Sequence, residues 1–196
     1  MQDLASACGM SPANLYRFYD GKLAIGAAVA EAEQATLLFA CDRAVRAAGP
    51  ETVDRLIALF EATIDSTRRR IRRAPRLFEL SLIVAREKPA VRQDFLKAVE
   101  HRISAILAEG HPRTAFESAA INLHSHLILM ACAPFVLPWM MQNEPFGNPR
   151  SMVEPLVRSL FAGLDDWPPT PHRPSPIESN PVTTVHRRRS VIETRA

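Results

Sequence analysis

Leu4-Ala5-Ser6-Ala7-Cys8-Gly9-Met10-Ser11-Pro12-Ala13-Asn14-Leu15-Tyr16-Arg17-Phe18-Tyr19-Asp20-Gly21-Lys22 is the stretch on which the fold and function of this chain turn. Leu4 to Gly9 has the composition of a short helix closed by glycine, the residue that enters the left-handed conformation at least cost. Met10 follows as an apolar spacer. Ser11-Pro12 marks a new helix: serine can cap it, and a proline at the first helical position gives up an N–H that has no partner there. Asp20-Gly21 ends that helix, and another opens at Lys22. Two short helices joined by a tight glycine turn form the pattern of a helix-turn-helix, whose second helix enters the major groove.

The second helix carries groups suited to that task. Ala13 and Asn14 are small enough to let the backbone approach a groove floor, and Asn14 can hydrogen-bond a base edge or a phosphate. Tyr16, Arg17 and Tyr19 suit phosphate contacts. Lys22, at a helix start, places an ammonium and open backbone N–H groups beside a phosphate. The candidate DNA-binding set is therefore Ser11, Ala13, Asn14, Tyr16, Arg17, Tyr19 and Lys22, and the partner is double-stranded DNA.

Outward from this stretch the period is helical and no alternating strand pattern occurs. Val53, Leu56, Ile57, Phe60 and Ile64 form one stripe, as do Val91, Phe95, Val99, Ile103 and Ile106. Val153, Leu156, Val157, Leu160, Phe161 and Leu164 form a third. Gly49-Pro50, Lys88-Pro89 and Gly110-His111-Pro112 punctuate the pattern. Thr114 with Glu117, and Ser151 with Glu154, have capping-box spacing, which places Pro155 in a first turn. The expected helices are 2–8, 12–19, 22–47, 51–72, 75–87, 89–109, 114–132 and 151–165. The fold class is all-α: a helix-turn-helix with a linking helix over 1–47 and a helical regulatory and dimerisation domain over 48–167. A disordered tail is expected over 168–196, because residues 168–181 hold six prolines and the tail lacks apolar periodicity.

The pattern Leu4-Ala5, Gly9-Met10-Ser11, Leu15-Tyr16-Arg17-Phe18-Tyr19, Lys22 and Ile25 resembles the signature of the TetR family of bacterial transcription regulators. Leu4, Met10 and Tyr19 replace the family's usual Ile, Val and Phe, all conservatively. The resemblance covers about 25 residues. It implies a dimeric repressor, a regulatory domain that binds a small-molecule inducer, and a four-helix dimer interface built from the last two helices. It also implies one further helix before Leu4. Without that helix, Leu4, Leu15, Phe18 and Ile25 are expected to lack a partner surface, which leaves open a second reading: a helical dimeric ligand sensor that does not bind DNA.

Bulk properties exclude several classes. Apolar residues make up 47% of 196, the globular range, and the net charge of +3 is compatible with nucleic acid. Cys8, Cys41 and Cys132 are far apart and odd in number, which points to a reducing compartment. No secretory signal is visible, and the most apolar stretch, Ala119 to Leu137, is interrupted by polar residues and Pro134. A cytoplasmic protein with no membrane partner is expected. No phosphate loop, nucleophile elbow or metal-ligand spacing occurs, so no enzyme activity and no cofactor are expected.

In the larger domain, Phe78, Leu82, Phe95, Phe116, Met130 and Trp139 are candidates for an apolar ligand cavity, opened by helix breaks at Pro134 and Pro138. The expected helix 114–132 is apolar nearly all round, so one face is assigned to the subunit's core and the other to a partner. Leu123, Leu127, Val157, Leu160 and Phe161 are the candidate dimer contacts. His124 and His126 are two apart, point to different faces and read as core or interface histidines. The arginines at 68, 69, 70, 72, 73 and 76 read as a solvated helix end, favoured by the helix dipole.

Overall fold

Residues 1–110, 118–141 and 148–164 are described by the computed structural model. Among them lie eight helices and no strand: α1 Gln2–Ala7, α2 Pro12–Phe18, α3 Lys22–Ala47, α4 Thr52–Arg73, α5 Pro75–Glu87, α6 Pro89–Gly110, α7 Ser118–Val136 and α8 Pro149–Leu164. Met1–Asp166 form one compact unit. The expected capping box at Thr114, the cavity candidate Phe116 and the tail from 168 onward lie outside the described residues.

The long helices pair because each carries one apolar stripe. On α3, Gly26, Ala30, Leu37, Cys41 and Val45 are buried. Gly26 and Ala30 lie towards α5, while Leu37, Cys41 and Val45 face α4, whose Leu56, Leu59, Phe60 and Ile64 are fully enclosed. α6 supplies Phe95, Val99, Ile103 and Ile106, α7 supplies Ile128, Leu129, Cys132 and Val136, and α8 supplies Val153 and Val157 to the same cluster. Burying such a side chain stabilises by about 1.5–3 kcal/mol, so this cluster dominates the fold's energetics.

Two glycines set the closeness of approach. A Cβ on Gly26 would stand 3.1 Å from Leu80 Cδ1 and 3.3 Å from Val84 Cγ2, so glycine lets α3 lie tight against α5. A Cβ on Gly110, at the end of α6, would collide with the Thr52 side chain at the start of α4.

Polar contacts then fix register. Arg102 of α6 grips Asp42 of α3 with Nε and Nη2 at 2.6 and 2.9 Å, and its Nη1 donates to Ala98 O at 2.9 Å. That guanidinium holds the Asp42 carboxyl below the usual carboxylate range. Thr63 Oγ1 donates to Leu59 O at 2.9 Å and lies 3.3 Å from Cys41 Sγ. Burial pushes both inner thiols up, Cys132 to about 12, so neither is a thiolate near neutral pH.

The structure departs from the sequence expectations around α7 and α8. α7 runs through Pro134 to Val136, and the chain turns only at Pro138. A lone proline removes one backbone bond, and the buried Cys132, Ala133 and Val136 around it hold the helix in place. Ser151 is not the cap of α8. The helix opens at Pro149, and Asn148 Oδ1 accepts from Arg150 N at 3.3 Å. Ser151 instead donates from Oγ to Asn148 O at 2.8 Å, and Pro155 falls inside the helix. Asn-Pro is itself a strong start, since asparagine caps and proline fits the first helical position. α3, not the 119–137 stretch, is long and apolar enough to cross a membrane by length and composition. It lies instead along α4, with Asp42 and Glu33 in ion pairs to α6 and α4.

Candidate functional site

The α1–α2 pair is built by two stops and two starts. α1 ends at Cys8, and Gly9 takes φ +64°. Gly9 N donates to Ser6 O at 3.1 Å, and Met10 N reaches back to Ala5 O at 2.8 Å. Those two bonds make a Schellman closure, which satisfies the carbonyls at the end of α1 and turns the chain sharply. Ser11 then caps α2, its Oγ accepting from Asn14 N at 3.2 Å, with Pro12 next in line. Tyr19 N closes α2 on Leu15 O at 3.1 Å. Gly21 is extended, and its carbonyl accepts from Ala24 and Ile25 as α3 begins.

The sequence-predicted DNA-binding residues fall into two groups. Ser11, Ala13, Tyr16, Arg17 and Lys22 are exposed, while Asn14 and Tyr19 are half-buried. Ala13, Tyr16 and Arg17, at i, i+3 and i+4, share one face of α2. Ser11 Oγ is committed to its cap, leaving the hydroxyl proton for another acceptor. Lys22 opens α3, whose start has no side-chain cap. First-turn N–H groups there remain open beside an ammonium, which favours an anion.

Leu15 has a partner surface after all, being 6% exposed, and Ile25 is half-buried. Leu4 and Phe18 stay open at 40% and 66%. α1 and α2 approach each other, and neither backbone comes close to another helix.

The cavity candidates separate. Leu82, Phe95 and Trp139 come together, with Leu37, Arg70 and Pro138, around a seam of about 20 Å³. Phe95 and Trp139 meet edge to face, centroids 5.9 Å apart and planes at 75°. Phe78 is buried and does not line that seam. Met130 is 42% exposed on the outside of α7, so it does not line a cavity; the helix rotation that turns Leu129 inward turns Met130 out.

The dimer candidates also divide. Leu123 and Leu127 are 46% and 49% exposed and, with Met130, form a stripe at i, i+4 and i+7. Leu160 and Phe161 are half-buried. Val157 is 1% exposed inside the protomer core, so it is removed from the interface set; with Val153 it faces the core stripe of α8. His124 is buried, whereas His126 is exposed with Nδ1 3.1 Å from Glu100 Oε1.

The arginine run holds what the sequence reading missed. Arg69, Arg72, Arg73 and Arg76 are exposed, as a solvated helix end should be. Arg68 donates to Asn148 Oδ1 at 2.9 Å, steadying the start of α8. Arg70 turns inward and pairs through Nε with Glu33 of α3 at 3.2 Å. The signal was present: Arg70 extends the buried positions Phe60, Thr63 and Thr67 by one more step of three.

Residues 52–152, just over half the chain, match the family model described as Tetracyclin repressor-like, C-terminal domain. That span begins at the first residue of α4 and ends in the first turn of α8. The chain belongs to the TetR family of regulators. No curated protein and no solved structure matches it.

Proposed function

We propose that this protein is a dimeric, sequence-specific DNA-binding regulator of the cytoplasm, a repressor released when a small molecule occupies its larger domain. The division of labour is α1, α2 and the start of α3 on DNA, and α4 to α8 for ligand and partner. The observation that carries the DNA part is the turn between α1 and α2. A Schellman closure and a serine cap fix α2 with Ala13, Tyr16 and Arg17 exposed on one face, one short turn before Lys22. Family membership over residues 52–152 supports the regulatory part.

In a dimer, two such helices would meet successive major grooves about 34–36 Å apart or a multiple of that distance. A ligand favouring a conformer with another separation would lower DNA occupancy. Differential affinity of about 1–3 kcal/mol changes occupancy roughly 5–150-fold. Fluorescence anisotropy on duplex DNA from the gene's own upstream region, with competitor DNA across a salt series, tests this. Lys22→Ala is expected to weaken binding to all sequences and to flatten the log–log salt slope by about one unit. An unchanged slope would remove Lys22 from the interface.

The exposure of Leu4 and Phe18, on a helix pair that approaches no other helix, favours a second reading. In it the chain is a helical dimeric ligand sensor without DNA binding. Competitor-resistant binding would exclude this reading, and its loss alongside intact ligand binding would establish it.

A further inference from the structure

Arg70 lies where two hollows meet. The larger, about 260 Å³ and open to solvent, lies between α3, α4 and the start of α5; Glu33, Leu37, Arg69, Arg73 and Leu77 help to line it. The smaller is the seam at Leu82, Phe95 and Trp139. Leu37 and Arg70 border both. The Arg70 side chain is only 10% exposed, and its single ion pair is Nε to Glu33 Oε2. Among the described residues neither Arg70 Nη is hydrogen-bonded. The guanidinium therefore borders the open hollow with donors available to an acceptor placed there. Burial pushes its pKa down, against the pull of Glu33.

We propose that Arg70 anchors the carboxylate of an amphipathic organic monocarboxylate, whose apolar body lies on Leu37 and Leu77 and reaches toward the Phe95–Trp139 seam. This rests on the reading of residues 52–152 as a ligand-responsive domain. A planar carboxylate matches the paired donors of one guanidinium. Arg69 and Arg73 on the same rim place three cations against the one carboxylate of Glu33, so the hollow favours an anion. The site also has a route outward. Glu33 sits on α3, the helix that starts at Lys22, and a carboxylate on the Arg70 Nη groups repels the Glu33 carboxylate held at Nε. Binding therefore loosens the Glu33 tie between α3 and α4, on the helix that follows the DNA-reading pair.

Isothermal titration calorimetry of the full chain with octanoate and phenylacetate, against octanamide, phenylacetamide and octylamine, tests this. The carboxylates should bind, and the neutral amides and the amine should bind at least about tenfold more weakly, as loss of a charge-assisted pair implies. R70Q should weaken octanoate by about tenfold or more, and E33Q should tighten it several-fold by removing the neighbouring like charge. E33Q keeps the test decisive if R70Q fails to fold. Equal binding of acids and amides, no carboxylate binding, or unchanged affinity in E33Q would overturn the proposal. DNA is absent from the assay. A protein that takes carboxylates but never binds DNA would end the regulator reading and leave this site standing; the reverse result would end this site alone.

Discussion

At the scale of the residue, position within a stripe decides what a charged side chain does. Arg102 and Arg70 both reach α3, but Arg102 meets a fully engaged carboxylate while Arg70 keeps two free donors. The Asp42 pair makes a pH prediction. Its carboxyl titrates below the ordinary range in the folded state, so the unfolded chain takes up protons first as pH falls. The pair's contribution is therefore complete above the ordinary carboxylate pKa of about 3.9 and is lost as pH falls through the depressed folded value. Asp42→Asn should cost about 1 kcal/mol at neutral pH, discounted because both partners are partly exposed, and close to nothing once the wild-type carboxyl is protonated. Thermal melts of both proteins down an acid series check this; a constant gap would show that the pair does not titrate as described. In the core, Phe60→Ala should cost about 3–5 kcal/mol, measured by urea unfolding, since Phe60 is fully enclosed. A loss below about 1 kcal/mol would mean that the site collapses around the cavity.

At the scale of the element, much was legible before any coordinates. The Gly9 stop, the Ser11-Pro12 start and the long helices from Lys22, Pro75 and Pro89 all carry local signals: a left-handed glycine, a capping hydroxyl, a proline at the first turn. Where two signals competed, the sequence was ambiguous. Ser151 and Asn148 can each cap a helix, and Asn148, held by Arg68, takes the earlier start. Pro134 ends helices in isolation, yet burial on both sides carries α7 past it. The facing of α7 and α8 was less legible still, because helices apolar on most sides do not announce which side is inward. Hence the sequence points Val157 outward and Met130 inward, the reverse of what is found. Arg70 was hidden for a related reason, since a run of arginines at a helix end looks uniformly solvated. The cap at Ser11 is the most direct element-scale test. Ser11→Ala should destabilise α2 by about 1 kcal/mol and speed amide exchange at Asn14, with little effect on global unfolding, because among the described helices the α2 backbone comes close only to α1. Unaltered exchange at Asn14 would show that the cap does not hold the helix.

At the scale of the whole molecule, the protomer leaves Leu123, Leu127 and Met130 open along α7, on the opposite side from its core residues Ile128, Leu129 and Cys132. A contiguous apolar stripe of this kind suits a partner surface. We propose that a second copy covers it, with α8 contributing Leu160 and Phe161, as two-fold interfaces pair a surface with itself. Leu123→Glu with Leu127→Glu should convert dimer to monomer in analytical ultracentrifugation while helicity is retained. A dimer that survives both changes would place the interface elsewhere.

The dimer and the helix-turn-helix meet in one measurement. Duplexes drawn from a randomised pool, carried through repeated binding and recovery with this chain, report whether a sequence is chosen and what symmetry it has. The account predicts an enriched two-fold symmetric site, with half-sites separated by about one helical turn or a multiple of it. Enrichment should weaken steeply as salt is raised. No enriched sequence, or an enriched site without two-fold symmetry, would contradict it.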